Sequence, residues 1–140
     1  MAAQEIQLID WDTASRLISE VVREATEAGI RVCVAIVDAS GVPIASYRMP
    51  GAFLHSIDIA LDKAFTAVSF GASTRDIAGL LEAQPVRVRD GLLVRPRFIA
   101  IGGGTPLICG GKMLGALGVS GGTEDEDMNC IQLALEKVWV

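Results

Sequence analysis

The segment between Arg48 and Lys63 constrains the fold more than any other part of this sequence, because it switches from a strand pattern to a helix pattern. A strand is predicted to end at Met49, the Pro50-Gly51 pair indicates a turn, and a helix is predicted to open near Ser56. That helix carries charged side chains among residues that otherwise look buried. Since burial of an unpaired polar group costs free energy, such groups are expected to be paired or to serve a function. The charged residues are Asp58, Asp62 and Lys63.

The apolar content is high for a chain of this size. Of the 140 residues, 51% are hydrophobic, yet no stretch of 18 consecutive apolar residues offers a membrane span. Additional surface buried between subunits accounts for this excess, so the sequence predicts a homo-oligomer. The N-terminal residues lack a basic region followed by an apolar core, and the three cysteines form no Cys-x-x-Cys pair. These features favour a reduced, cytoplasmic protein.

The charge balance argues against a nucleic-acid partner. Twelve basic and seventeen acidic side chains give a net charge of −5, whereas nucleic-acid binding depends on neutralising phosphates. One basic cluster stands out, within eleven residues. It is either a solvated loop with salt bridges at an interface, or a recognition patch for carboxylates, which arginine pairs with bidentately. The cluster consists of Arg87, Arg89, Arg95 and Arg97.

Hydrophobic periodicity and turn chemistry predict an α+β domain. Short hairpin connections imply an antiparallel sheet of five strands flanked by helices, of the profilin or PAS type. Residues 82–96 show no sustained period and are predicted to form a loop. The predicted elements are helix 12–28, strands 30–37 and 42–49, helices 56–70 and 73–81, strands 97–101, 106–109 and 113–120, and a final helix that begins with a capping box at Thr123.

Two groups of residues are candidates for ligand binding. Lys63 and Thr66, at positions i and i+3 of one helix, share a face and could both address a ligand, although pairing across a subunit interface explains them equally well. Gly103, Gly104 and Thr105 offer backbone donors and a hydroxyl to an anion or a carbonyl, although a plain turn is the alternative. The other glycines do not have the spacing of a phosphate-binding loop.

His55 is the only histidine and therefore the only residue that can supply an imidazole, either as a base or as a metal ligand. A catalytic triad of His55 and Asp58 with Ser56 or Ser120 is conceivable, but no nucleophile-elbow pattern is present, and Ser56 is better interpreted as the N-cap of the helix. His55 is therefore either an exposed loop histidine or a ligand to a metal or haem iron.

Three stretches of sequence together resemble a known family. The first is 48–67, with Arg48-Met49-Pro50-Gly51-Ala52 and Lys63-Ala64-Phe65-Thr66-Ala67. The second combines Gly103-Gly104-Thr105-Pro106-Leu107 with residues 115–121, and the third is Val34-Ala35-Ile36-Val37-Asp38. These motifs resemble the GlcG/HbpS-like family. Because the resemblance spans nearly the whole chain, residues 1–140 are expected to form one domain of this family.

The resemblance implies a single α+β domain that assembles into tetramers or octamers. It also implies an association with haem or related tetrapyrroles in some members, which include the C-terminal domain of PduO-type cobalamin adenosyltransferases. Other members accompany the catabolism of glycolate and aromatic acids.

The leading hypothesis is a cytoplasmic homo-oligomer that binds haem or a related tetrapyrrole in a pocket built from residues 48–66 and 102–105. In this hypothesis His55 or Thr105 approaches the iron, Arg48 or Lys63 pairs with the propionates, and Ser56, Thr66, Gly103 and Gly104 complete the lining. The alternative is a small catabolic enzyme, a lyase, isomerase or hydrolase acting on an organic acid, with Lys63 and Asp58 as acid–base groups. A structural or regulatory oligomer without a ligand is the third reading.

Overall fold

Residues 2–139, which are the part of the chain described by the computed structural model, form five helices and an antiparallel sheet of four strands. The elements are α1 (Trp11–Glu27), β1 (Cys33–Asp38), β2 (Pro43–Arg48), α2 (His55–Phe70), α3 (Thr74–Glu82), α4 (Val86–Leu93), β3 (Gly104–Cys109), β4 (Lys112–Ser120) and α5 (Glu124–Val138). Within this range, no helix is both long enough and apolar enough to cross a membrane.

The strand order is β2-β1-β4-β3, so β1 and β4 are central and β2 and β3 form the edges. Both hairpins predicted from the sequence are present, with β1 antiparallel to β2 and β3 antiparallel to β4. The two hairpins join through β1 and β4, where Cys33 lies opposite Ser120 and Asp38 opposite Gly115.

Side chains of different size point to the two faces of the sheet. Val34 and Ile36 of β1 belong to the core formed with α1 and α5. Cys33, Ala35 and Val37 point the other way, against α2. Because successive residues of a strand alternate between faces, β1 can be buried on both sides. The fold therefore has three layers, with the sheet between α1 and α5 on one side and α2 on the other.

Helix α2 lies unusually close to the sheet. Gly104 of β3 and Gly118 of β4 are directly opposite each other in the register. A Cβ atom at Gly118 would collide with the backbone oxygen of Ala60, and one at Gly104 with the backbone oxygen of Lys63. Because glycine has no side chain, the α2 backbone can pack directly against these two strands. This contact fixes the distance between the helix and the sheet.

The helix ends follow local signals in the sequence. Asp10 caps α1, since its Oδ1 accepts a hydrogen bond from the backbone N–H of Thr13 at 2.7 Å. Ser73 caps α3, and Thr123 forms the predicted capping box with Glu126 at the start of α5. The N-cap of α2, in contrast, is Leu54 and makes no side-chain hydrogen bond, so the prediction that Ser56 is the N-cap was wrong.

Two predictions for the middle of the chain were also wrong. Residues 82–96, predicted to be a loop, contain helix α4. Residues 97–101, predicted to be the third strand, belong to no strand, which leaves four strands in the sheet rather than five. The backbone groups that a strand would pair with a neighbour are instead bound by a side chain, because Thr66 Oγ1 donates to the Arg97 carbonyl and accepts from the Ile99 N–H.

The close approach of α2 predicts that Gly118→Ala destabilises the fold. The added methyl group meets helix backbone, which cannot rotate away, so we expect the free energy of unfolding to fall by about 1–3 kcal/mol in urea titrations followed by circular dichroism. Gly79→Ala in α3 is the matched control, since a Cβ there meets nothing within 4 Å. It should raise stability by about 0.5–1 kcal/mol. Equal effects of the two substitutions would contradict the close-packing account.

Candidate functional site

Two arginines shape the turn between β2 and α2. Arg48 donates to the carbonyl oxygen of Ala52 from Nε at 3.2 Å and from Nη2 at 2.9 Å. Arg31 Nη1 donates to the carbonyl oxygen of Pro50 at 2.9 Å. Because all three bonds end on backbone carbonyls, they fix the path of the turn and hold the Arg48 side chain at Ala52, three residues before the first residue of α2.

Large apolar side chains are exposed where the turn enters α2. Phe53 and Leu54 are 71% and 72% exposed, and Tyr47 and Ile57 are about half exposed. His55 lies among them and is itself exposed. Exposed apolar residues grouped in this way mark a ligand-binding or subunit surface. We refer to the surface formed by Tyr47, Arg48, Phe53, Leu54, His55 and Ile57 as the β2–α2 corner.

A small cavity of about 160 Å³ extends from this corner toward the sheet. Tyr47, Arg48 and Ile57 line its outer part, and Cys33 lies in its wall. Burial raises the pKa of the Cys33 thiol, and the opposing effect of the Arg48 charge does not outweigh it. Cys33 is therefore a protonated thiol at neutral pH, which argues against a thiolate nucleophile at this site.

Lys63 lies in the interior, with only 2% of its surface exposed. Its Nζ donates to Asp127 Oδ2 at 3.0 Å and to the Val119 carbonyl oxygen at 2.9 Å. Burial raises the pKa of Asp127, against the lowering effects of the Lys63 charge and of the hydrogen bond from the Gly122 N–H. The ammonium group is therefore bound by protein partners and inaccessible to a substrate from outside. Acid–base catalysis by Lys63 stays a prediction, and this packing disfavours it.

Asp58 and Ser56 occupy different environments from Lys63. Asp58 is exposed in the first turn of α2. Since five residues turn a helix by about 140° beyond a full circle, Asp58 and Lys63 point in different directions and cannot act on one substrate atom together. Ser56 is buried, and its Oγ accepts a hydrogen bond of 3.3 Å from Ser120 Oγ.

The remaining predicted residues lie away from the β2–α2 corner. Thr66 is buried and holds residues 97–99. The N–H of Gly104 donates to Thr74 Oγ1 at 2.9 Å, so this predicted backbone donor is already engaged, and the Gly103 carbonyl accepts from the Val119 N–H at 2.8 Å. Thr105 lines a separate cavity of about 320 Å³ between α3, β3 and α5, together with Gly103 and Gly104.

The single pocket expected from the sequence is therefore divided among three places. Arg48 and His55 share the β2–α2 corner. Ser56, Lys63 and Thr66 belong to the interior, and Gly103, Gly104 and Thr105 line the other cavity. Sequence reasoning missed the apolar part of the corner. The available signal was a run of large apolar residues at the start of a helix whose core positions are alanines. These residues are Phe53, Leu54 and Ile57.

Residues 9–136 match the family model described as haem degrading protein HbpS-like. The chain belongs to the HbpS-like family. The resemblance predicted from the sequence motifs is thereby confirmed. The HbpS-like chain is 34% identical over 134 residues to an uncharacterised 15.0 kDa protein encoded in the dhaT-dhaS intergenic region of Citrobacter freundii, with 96% of this chain and 94% of that protein covered.

The HbpS-like chain also resembles part of a larger enzyme. It is 34% identical over 132 residues to the corrinoid adenosyltransferase PduO of Citrobacter freundii, which covers 93% of this chain but only 39% of PduO. Among solved structures, protein ORFY of Klebsiella pneumoniae has a TM-score of 0.91 at 34% identity and covers 100% of this chain and 97% of its own. A PduOC complex with haem has a TM-score of 0.85 at 30% identity, with 93% and 94% covered.

The buried ion pair gives the HbpS-like chain a clear test of the role of Lys63. Lys63→Met leaves Asp127 charged and unpaired in the interior, so we expect the free energy of unfolding to fall by about 3–5 kcal/mol in urea titrations. The double variant Lys63→Met/Asp127→Leu should recover most of this loss. Lys112→Met, at an exposed lysine, is the matched control and should change stability by less than about 0.5 kcal/mol. A Lys63→Met protein as stable as wild type would refute the structural role.

Proposed function

We propose that this chain is a homo-oligomeric protein that binds haem or a related tetrapyrrole at the β2–α2 corner. The observation that carries the proposal is the exposed imidazole of His55 between the exposed side chains of Leu54, Phe53 and Ile57, with the Arg48 guanidinium at the other side of the same turn. The corner combines the three kinds of contact that a haem requires.

Each part of a haem has a counterpart in this surface. The flat macrocycle is apolar, and its binding is favoured because it would bury the exposed apolar surface of Phe53, Leu54 and Ile57. The iron accepts an imidazole nitrogen as an axial ligand, and His55 is the only histidine of the chain. The propionates are carboxylates, which pair with guanidinium groups. Arg48 uses Nε and Nη2 to donate to the Ala52 carbonyl oxygen. Its guanidinium carries further N–H donors that can bind a propionate.

The other predicted residues are less suited to a tetrapyrrole. Lys63 would have to break a buried ion pair to reach a propionate. Thr105 lines a cavity that contains neither His55 nor Arg48. We therefore propose His55 as the iron ligand and Arg48 as the propionate partner. The alternative of an organic-acid enzyme using Lys63 and Asp58 draws no support from the positions of these two residues.

The family supports a tetrapyrrole ligand. The matching family is described as haem degrading, and the PduOC protein, which is 30% identical to this chain, has been solved as a complex with haem. Both statements concern relatives, and they carry over here because the match extends over most of the chain. The three cysteines, all free, suit a reducing compartment, and we propose a cytoplasmic location on this basis.

A second copy of the chain would complete the site. The cavity at the corner has a volume of about 160 Å³. Small-molecule sites are typically larger, at about 300–1,000 Å³. A haem would lie across the corner and leave one face uncovered. The adjacent edge strand β2 also exposes Ile44 and Tyr47. We therefore propose that subunits pair through this surface in the tetramer or octamer expected for the family.

A haem titration of the purified protein, followed by absorbance, tests the ligand and its axial residue together. Wild type should give a saturable Soret band, and His55→Ala should lose the imidazole-ligated spectrum and bind at least about tenfold more weakly. Asp58→Ala, which removes another exposed polar side chain from the same helical turn, is the control and should titrate like wild type. A saturable spectrum unchanged in His55→Ala would move the ligand elsewhere, and the absence of any saturable change would refute the proposal.

The subunit contact is tested by Ile44→Glu, which places a charge on the exposed face of β2. We expect light scattering on a sizing column to show a smaller assembly than wild type, because the charge would have to be desolvated at the interface. Val86→Glu on α4, another exposed apolar position, is the matched control. An unchanged assembly for Ile44→Glu would exclude β2 from the interface, while a smaller assembly for Val86→Glu alone would assign the contact to α4.

A further inference from the structure

A second cleft lies between α2 and the segment that follows α4, away from the β2–α2 corner. Its volume is about 190 Å³, and it contains neither Arg48 nor His55. Aromatic rings and two arginines dominate its lining. These are the rings of Phe65, Phe70 and Phe98 and the side chains of Arg95 and Arg97, with Leu92 beside them.

The backbone of Arg97 is held in a conformation that its residue type disfavours. Its φ is +65°, and within residues 2–139 it is the only non-glycine residue with a positive φ. Such residues cost free energy and persist where the surroundings impose them, commonly at ligand sites. Here the surroundings are Thr66, which is 1% exposed and binds the Arg97 carbonyl at 2.9 Å and the Ile99 N–H at 3.1 Å.

This conformation fixes the Arg97 side chain on the wall of the cleft. The guanidinium carbon lies 3.5 Å from the centre of the Phe65 ring, in a cation–π contact. Nε donates to Asp62 Oδ1 at 3.4 Å, a long bond that leaves the charge only loosely compensated. The planar guanidinium is therefore already oriented. A carboxylate that binds its free edge would cause little further loss of side-chain conformational entropy.

Arg95 adds a second positive charge to the same cleft. Within residues 2–139, its guanidinium forms no salt bridge and no side-chain hydrogen bond. Four arginines and one aspartate give residues 86–97 a net charge of +3, although the whole chain carries −5. The cleft thus contains the oriented guanidinium of Arg97 and the unpaired guanidinium of Arg95. These two positive charges favour an anionic ligand.

The rest of the cleft is apolar and suits a compact hydrocarbon body. Phe98 packs edge to face against Phe70, with ring centres 5.6 Å apart at an angle of 80°. These two rings and Leu92 also form the wall of a neighbouring apolar cavity of about 230 Å³. A ligand whose charged end reaches the arginines would place its other end against the rings.

We propose that this cleft binds a small monocarboxylic acid with a compact apolar body. The carboxylate pairs with Arg95 and Arg97, and the body packs against Phe98, Phe70 and Leu92. The site is independent of the proposed tetrapyrrole site, because the two share no lining residue. Thr66 lies in the wall of the cleft and acts as a positioning residue, because its hydroxyl holds the backbone of Arg97 and Ile99.

Benzoate is a suitable probe, and benzyl alcohol is its uncharged counterpart with the same ring. We expect an amide NMR titration of the full chain to show saturable shifts around Arg97 and Ile99 with benzoate, and binding at least about tenfold weaker for benzyl alcohol. Arg95→Gln should weaken benzoate binding by about tenfold, and so should Arg97→Asn, which tolerates the left-handed backbone. Arg87→Gln is the matched control, because it removes the same charge from the same basic cluster outside the cleft.

The outcomes separate this site from the tetrapyrrole proposal. Binding of benzoate by His55→Ala with wild-type affinity is expected, whatever the result of the haem titration. The absence of saturable shifts at millimolar benzoate would overturn the inference. Equal binding of benzyl alcohol would show an apolar cavity without carboxylate selectivity, and an equal loss in Arg87→Gln would show diffuse attraction instead of a site. Either result would also overturn it.

Discussion

The buried ion pair between Lys63 and Asp127 ties the layers of this fold together. Lys63 belongs to the helix on one face of the sheet and Asp127 to a helix on the other face. The ammonium reaches its partner beside Gly103, where a Cβ atom would lie 2.7 Å from Nζ. Because a charge buried without its partner is costly, α2 and α5 must keep one fixed arrangement around the end of β4. The β2–α2 corner and the cleft lined by Arg95 and Arg97 both include α2 residues, so the positions of both depend on this contact.

The sequence predicted elements whose signals are local and failed where tertiary contacts decide. The capping box at Thr123 and the glycine-centred hairpins need only neighbouring residues, and they are present as expected. Helix α4 buries none of its residues, so it leaves no periodic apolar pattern to detect. Residues 97–101 have the composition of a strand, but Thr66, some thirty residues earlier, takes the backbone groups that a strand would share.

The candidate site was harder to predict than the fold, because the charge and the spacing of residues do not reveal whether their side chains are buried or exposed. Lys63 and Thr66 do share a helix face, as their spacing indicated, but that face points into the protein. The alanines at 60, 64 and 67 were the signal that α2 packs closely on the sheet, and Lys63 and Thr66 are buried on the same side of the helix. His55, the first residue of α2, and Arg48, which precedes the helix, are exposed instead. The left-handed backbone of Arg97 has no sequence signature at all, since it is imposed by a distant hydroxyl.

The burial of Lys63 also sets the chemical accessibility of the amines. The chain has three lysines, and the other two, Lys112 and Lys137, are exposed. A reagent that acylates amines can therefore modify these two in the native protein, whereas Lys63 becomes available only when α2 separates from α5. The extent of acylation at Lys63 therefore reports how often these two layers separate.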